Sequence, residues 1–319
     1  MPTLLIVAFV GLLGQLVDGS LGMAFGVTAT TFLVALTTLS PAAISATIHL
    51  AEIGTSAVSG ASHWRFGNVD WKVVRRIGIP GAIGAFVGAT VLSNLSTEVA
   101  KPLMSVILLL LGLYVLLRFT FRGIDTKNLG RPLKSRFLAP LGLFGGFVDA
   151  TGGGGWGPVG TPALLASGRM EPRKVVGTID TSEFLIALAA SLGFLANLGS
   201  EGVNFAYAGA ILAGGVIAAP IAAWLVRHFP PRLLGASVGG LIILTNARTL
   251  IGKSGLALDP GLQRVVYAVI VAGWIAAFAY SFVQYRRDAN LESADSITEI
   301  AERNAGERRA GDEKATVPA

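Results

Sequence analysis

The chain has 319 residues, 52% of them hydrophobic and 14% charged, with a net charge of +6 and a mean hydropathy of +0.65. A soluble domain carries about 25% charged residues, so this composition excludes one. It indicates an integral membrane protein of the helical type, because the apolar runs are long and continuous rather than the alternating ~10-residue segments of an outer-membrane barrel. With zero cysteines, disulfides, thiolate metal sites and cysteine nucleophiles are excluded too.

In chain order, apolar segments run over 3–17, 24–39, 41–62, 73–93, 99–120, 133–148, 157–168, 173–198, 205–228, 232–252 and 262–285. A spanning helix needs ~20 residues. Segments 3–17 and 24–39, separated by DGSLG, fall short of that, as do 133–148 and 157–168, separated by DATGGGGW. Both pairs read as broken helices that dip into the membrane and return, whether re-entrant or very short spans. The start (MPTLLIVAFVGLLGQLVDG) lacks the basic region of a secretory signal and reads as a retained first membrane element. The tail after 287 mixes acids and bases and is expected to be disordered or a frayed surface helix.

The two broken pairs are copies of one another. Residues 14–52 align without a gap on 145–183, an offset of 131, with 12 of 39 positions identical. The identities include Asp18/Asp149, Gly22/Gly153, Gly26/Gly157, Thr30/Thr161, Thr47/Thr178 and Glu52/Glu183. A duplicated hydrophobic chain with matched glycine-rich interruptions is the mark of a repeat-built transporter. Lys and Arg orient it. Loops 63–76, 118–136 and 227–232 and the end of the last helix are basic, whereas 94–101 and 199–204 are poor in basic residues. The positive-inside rule puts the first group in the cytoplasm. The N-terminus is then outside, the C-terminus inside, and the two halves are inverted. The net positive charge is thus membrane orientation and not a nucleic-acid signal.

The expected architecture is an all-α integral membrane protein, a polytopic helical bundle of two inverted-topology repeats with broken or re-entrant helices. Membrane repeat 1 covers 1–125, a cytoplasmic basic loop 126–136 and membrane repeat 2 137–260. An extra C-terminal transmembrane helix covers 261–286 and a cytoplasmic polar tail 287–319.

A half-helix that begins inside the membrane aims free N–H groups and a partial positive charge at its start. Two inverted copies aim two such ends at one point, a ready anion site that glycines let a ligand approach. The expected substrate-binding residues are therefore Gly19, Ser20, Gly22 and Thr30 from the first half. From the second they are Thr151, Gly152, Gly153, Gly154, Gly155, Trp156, Gly157 and Thr161. The competing reading of the glycines is close helix packing.

Ionisable groups in spanning helices usually face a cavity or a partner. Asp18, Glu52, Asp149, Glu183, His49 and Asp180 are candidates for carrying a coupled proton, with a purely structural hydrogen-bonded network as the competing reading. His49, Glu52, Asp18, Asp149 and Glu183 could also converge on a cation, although no two-histidine spacing supports a metal site. Asn246 and Arg248 lie within segment 232–252, where Arg248 either snorkels to the edge or faces the cavity. GGGGWG lacks the Lys-Ser/Thr of a phosphate-binding loop, and no Ser/His pair has a usable spacing, so neither a nucleotide, another cofactor nor an enzyme is expected. Small-residue spacing is compatible with a homodimer and with internal packing alike.

At these residues the chain resembles the TauE/SafE sulfite exporter family, also called the TSUP family. The resemblance covers about 5–285 and rests on the two Gly-rich motifs, on PAAISATIHLAEIGTSAVSG and on the basic SHWRFGNVD. It implies a multi-pass transporter of the bacterial inner membrane for small anions such as sulfite, sulfoacetate or other organosulfonates, with proton coupling and export. By position it implicates Asp18, Gly19, Gly22, Gly153, Gly154 and Gly155. The first half departs from the family's glycine run, reading DGSLGMAFG with Leu21, Met23 and Ala24. The partners expected are a small anion, protons and the lipid bilayer, and no nucleic acid. A proton-coupled metal-cation permease using the same acids is the alternative, and a non-transporting membrane partner of sulfur enzymes the third reading.

Overall fold

In the computed structural model, residues 2–21, 23–121, 130–225, 231–251 and 258–315 are described. Among them the chain is all-helical, with no strand. The first half gives α1 (Pro2–Leu21), α2 (Phe25–Leu36), α3 (Pro41–Arg65), α4 (Trp71–Ser93) and α5 (Thr97–Phe121). The second gives α6 (Ser135–Gly152), α7 (Trp156–Ala166), α8 (Pro172–Leu198), α9 (Phe205–Leu225) and α10 (Pro231–Ile251), with one 3-10 turn at Ser200–Gly202. The last helix, α11 (Pro260–Ala315), is apolar up to Arg287 and continues helical beyond it.

Local chemistry sets several starts. The Ser40 hydroxyl accepts from the Ala43 N–H at 3.2 Å ahead of Pro41 at the first turn of α3. Asp70 caps α4 through the N–H groups of Lys72 (2.9 Å) and Val73 (3.2 Å). Among the described residues, four helices carry stretches long and apolar enough to cross a membrane: Trp71–Ser93, Thr97–Phe121, Lys174–Leu198 and Pro260–Arg287. By contrast α2 has 12 residues and α7 has 11, so each rises about 16–18 Å and falls well short of a ~30 Å hydrocarbon core. The outward side of α4 (Ile79, Ile83, Phe86, Val87) is apolar and exposed, as a lipid-facing stripe must be.

The halves interlock. α1 lies along α9 and α6 along α4, so the first helix of each half is held by the fourth of the other, while α3 faces α8 and α5 faces α10. α11 packs outside, where the Trp274 indole donates to the Ala236 carbonyl of α10 at 3.0 Å. Missing side chains make the interlock close. A Cβ at Gly11 would stand 2.2 Å from the Ile211 carbonyl oxygen, and one at Gly142 would stand 2.2 Å from that of Ile77. Gly142 lies 131 residues after Gly11, the same offset that relates the aligned segments of the halves. The duplicated Thr47 and Thr178 do parallel work. Thr47 accepts from the Asn204 N–H at 3.2 Å, just before α9, and Thr178 accepts from the Asp70 N–H at 3.0 Å, just before α4. Each threonine thus pins the start of the other half's fourth helix.

Candidate functional site

Both helix breaks are closed by an aspartate. Asp18 accepts from the Phe25 N–H, the first of α2, at 3.4 Å, and Asp149 accepts from the Trp156 N–H, the first of α7, at 2.9 Å. The spacing is seven residues in both, long enough for the chain to turn through the break and bring its new N-terminus back to the carboxylate. Gly153 (φ 69°) and Gly154 (φ 144°) make the second turn, in backbone regions that cost other residues energy. The first turn uses Ala24 at φ 89°. Ala24→Gly should therefore raise stability by about 1 kcal/mol, read as a higher thermal midpoint of the purified protein at unchanged transport.

The two breaks touch. A Cβ at Gly26 would lie 2.7 Å from the Gly154 Cα and 2.7 Å from Glu52 Oε1; one at Gly157 would lie 2.9 Å from the Met23 Cα. Met23 and Gly154 are aligned positions, as are Gly26 and Gly157, so the same contact occurs twice with the halves exchanged. Thr30 of α2 donates to the Gly153 carbonyl across the crossing. The N-terminal ends of α2 and α7 therefore meet backbone to backbone.

Ionisable groups surround this crossing. His49 Nδ1 lies 2.7 Å from the Ser45 carbonyl oxygen, which only accepts, so Nδ1 carries a hydrogen. His49 Nε2 then shares one proton with Asp149 Oδ2, 2.9 Å away, whichever of the two holds it. Glu52 Oε2, 3.9 Å from the same nitrogen, is buried and makes no hydrogen bond. Thus one oxygen of Asp149 holds the start of α7 and the other faces the histidine. One atom from each of His49, Glu52 and Asp149 falls within 4.8 Å of the others, close enough for the three to enclose a single cation.

A small polar cavity continues from Glu52 between α1, α3 and α8. Gln15, Asp18, Glu52, Ser56, Asp180 and Glu183 line it, and its volume of about 10 Å³ is on the order of one water. Asp180 accepts from Ser59 at 2.8 Å and lies 3.3 Å from His63 Nε2. The His63 side chain is 26% exposed. A row of polar groups thus runs from a partly exposed histidine to the buried pair at the crossing.

The residues singled out from sequence fall as follows. All six acid and histidine candidates gather here: His49, Glu52 and Asp149 at the crossing, Asp18, Asp180 and Glu183 around the cavity. Gly153, Gly154, Gly157 and Thr30 form the crossing itself, and Gly155 precedes α7. Gly152 faces Ile107 of α5, and the Thr151 hydroxyl donates to the Phe147 carbonyl at 2.6 Å. Thr161 is buried. The Trp156 ring leaves the crossing for α8, donating to the Ile179 carbonyl and to Ser182, each at 3.2 Å. Gly19 and Ser20 end α1 with side-chain surroundings outside the described residues, and Gly22 lies wholly outside them. Arg248 is exposed, whereas Asn246 is buried and donates to Thr31 of α2 at 3.1 Å. Sequence reasoning missed Gln15, Ser59 and the inward turn of His63. Gln15 lies three residues before Asp18, and Ser59 and His63 continue the face of His49, Glu52 and Ser56 along α3, a periodic signal that was there to be read.

A sequence profile of the family described as "Sulfite exporter TauE/SafE" matches residues 7–249. The chain is 53% identical over 285 residues to "Probable membrane transporter protein YtnM" of Bacillus subtilis (strain 168), covering 88% of this chain and 93% of that protein. It is 26% identical over 226 residues to "Probable membrane transporter protein YdhB" of the same organism, covering 67% of this chain and 90% of that protein. No solved structure matches the chain at comparable significance.

Proposed function

The chain belongs to the sulfite exporter TauE/SafE family and is a multi-pass membrane transporter, not an enzyme; from that premise we propose that it exports small oxyanions such as sulfite, sulfoacetate or other organosulfonates, coupled to protons. The observation that carries this reading is the double use of Asp149. Its Oδ1 occupies the start of α7, where an anion would bind, and its Oδ2 shares a proton with His49. An anion and a charged carboxylate compete for the same N–H groups. Binding of the anion is therefore favoured when a proton neutralises Asp149, which links one proton to one anion travelling the same way. A divalent anion with one proton still carries net negative charge, and an inside-negative potential drives it outward at about 2.3 kcal/mol per charge per 100 mV.

In this reading the closed crossing is an occluded state. Substrate oxygens would meet the N–H groups at the starts of α2 and α7, with the residues of the two glycine-rich motifs (Gly19, Ser20 and Gly22 of the first, 152–157 of the second) and Thr30, Thr151 and Thr161 as the candidate binding set, once the two breaks part. Asp18, Glu52, Asp180 and Glu183 would pass the proton between the crossing and His63. The exchanged contacts Gly26–Gly154 and Gly157–Met23, with Thr47–Asn204 and Thr178–Asp70, support two repeats around one site. Their inversion rests on the distribution of basic loops, which also supports an outside N-terminus and a cytoplasmic C-terminus; residence in a bacterial inner membrane is what membership of the family implies.

One observation favours a second reading. Buried and without a hydrogen bond, Glu52 Oε2 stands beside His49 and Asp149, and a His–carboxylate set suits a divalent cation. Proteoliposomes separate the two. Labelled sulfite and a panel of sulfonates should enter, faster with an inward proton gradient; flux of divalent metals with no anion flux would replace the anion reading by the cation one.

A further inference from the structure

A second cavity lies away from the crossing, where α6 begins and α7 ends. Its volume is about 420 Å³, and Leu133, Lys134, Arg136, Phe137 and Arg169 are among the residues that line it; among the described lining residues there is no carboxylate. That size is within the range of small-ligand pockets. The rim is built rather than incidental. Arg169 donates to the Pro132 carbonyl at 3.0 Å, and Arg76 of α4 donates to the Leu133 carbonyl at 3.1 Å. Two arginines thereby hold the strand of chain that carries Lys134 and Arg136. α6 starts at this point with no side-chain cap, so its first N–H groups add to the positive field.

Chemistry on both sides of the pocket identifies the ligand. Phe137 lines the cavity and is also exposed on the outer face of α6, with Phe144 two turns further along the same face, exposed as well. A cationic pocket opening onto an exposed apolar helix face at the membrane edge fits a molecule that is anionic at one end and hydrocarbon at the other. We infer that this pocket binds the phosphate headgroup of an anionic glycerophospholipid, with an acyl chain laid along Phe137 and Phe144. A soluble phosphate would use the cations but not the aromatic face.

Retention of phosphatidylglycerol against phosphatidylcholine, measured by native mass spectrometry on the detergent-purified full chain, tests this. The wild type should hold phosphatidylglycerol preferentially. The double variant Lys134→Gln/Arg136→Gln should hold it roughly 25-fold more weakly, about fivefold for each cation removed. Both side chains are exposed, so the variant should keep the wild-type thermal midpoint in phosphatidylcholine. Lys72→Gln/Arg75→Gln removes two exposed cations from the neighbouring start of α4, outside the pocket, and should leave retention unchanged. An equal loss from that control would reduce the effect to general surface charge and overturn the proposal, as would undiminished retention by the first variant. Displacement of the lipid by millimolar glycerol phosphate, with equal protection of the protein by that soluble compound, would assign the pocket to a free anion instead. None of these outcomes depends on what the crossing transports.

Discussion

Gly154→Ala is expected to abolish anion flux and to lower stability by about 2–6 kcal/mol, the sum of overpacking and a strained backbone. A methyl group there would fall 2.2 Å from the Val27 nitrogen and 2.3 Å from the Gly26 carbonyl carbon. Both neighbours are backbone atoms of α2, so no rotamer change relieves the clash. The φ of 144° adds a penalty of its own. A larger residue such as valine would wedge the crossing further apart. From sequence alone, Gly154→Val is expected to lose transport while remaining inserted; the contact with α2 adds that the inserted protein will be loosened. Fluorescence-detected size exclusion after heating reads the stability, and proteoliposome uptake reads the flux. Gly209, whose added Cβ meets nothing within 4 Å, is the control site: Gly209→Ala should change neither. Normal uptake by Gly154→Ala would remove the crossing from the transport path.

The second large effect is expected at Asp149, and it should split two activities. Asp149→Asn keeps an oxygen for the Trp156 N–H, now at 2.9 Å from the carboxylate, and an amide that can donate to His49 Nε2. The fold should survive. The carboxylate is gone, so stimulation by a proton gradient should vanish while exchange of labelled for unlabelled anion persists. Asp149→Ala removes both bonds. It leaves His49 buried with no partner for Nε2 but Glu52 and strips the cap of α7, at a cost of about 3–5 kcal/mol, and both activities should fail. If Asp149→Asn responds to a proton gradient as the wild type does, the shared proton is not the coupled one.

Much of this site was legible in the sequence, and the limits have physical causes. The breaks at DGSLG and DATGGGGW announce themselves because glycine and aspartate have no reason to recur at matched places in apolar helices. The six ionisable residues stand out for the same reason. What could not be read was which atoms meet. That Gly26 rests on Gly154, rather than on another small residue, depends on how α2 is set against the opposite break, and neither segment encodes that register alone. The role of Thr47 and Thr178 was hidden likewise: their partners, Asn204 and Asp70, lie in the other half. Trp156 misled by position. Its N–H is at the crossing, but its indole is drawn into helix packing by Ile179 and Ser182. Helix ends extended past the apolar segments, as at α6, which runs through Thr151 to Gly152, because the helix continues until a left-handed glycine stops it.

The exchange of first helices between the halves also governs how the molecule must be made. α1 is synthesised long before α9, the helix it lies against, whereas α6 emerges after its own seat on α4 already exists. The nascent first half therefore enters the bilayer with the Gly11 face of α1 turned toward lipid or toward insertion factors, and closes only when translation is nearly complete. A ribosome stalled before α9 emerges would leave that Gly11 face open, a natural mark for membrane quality control to recognise.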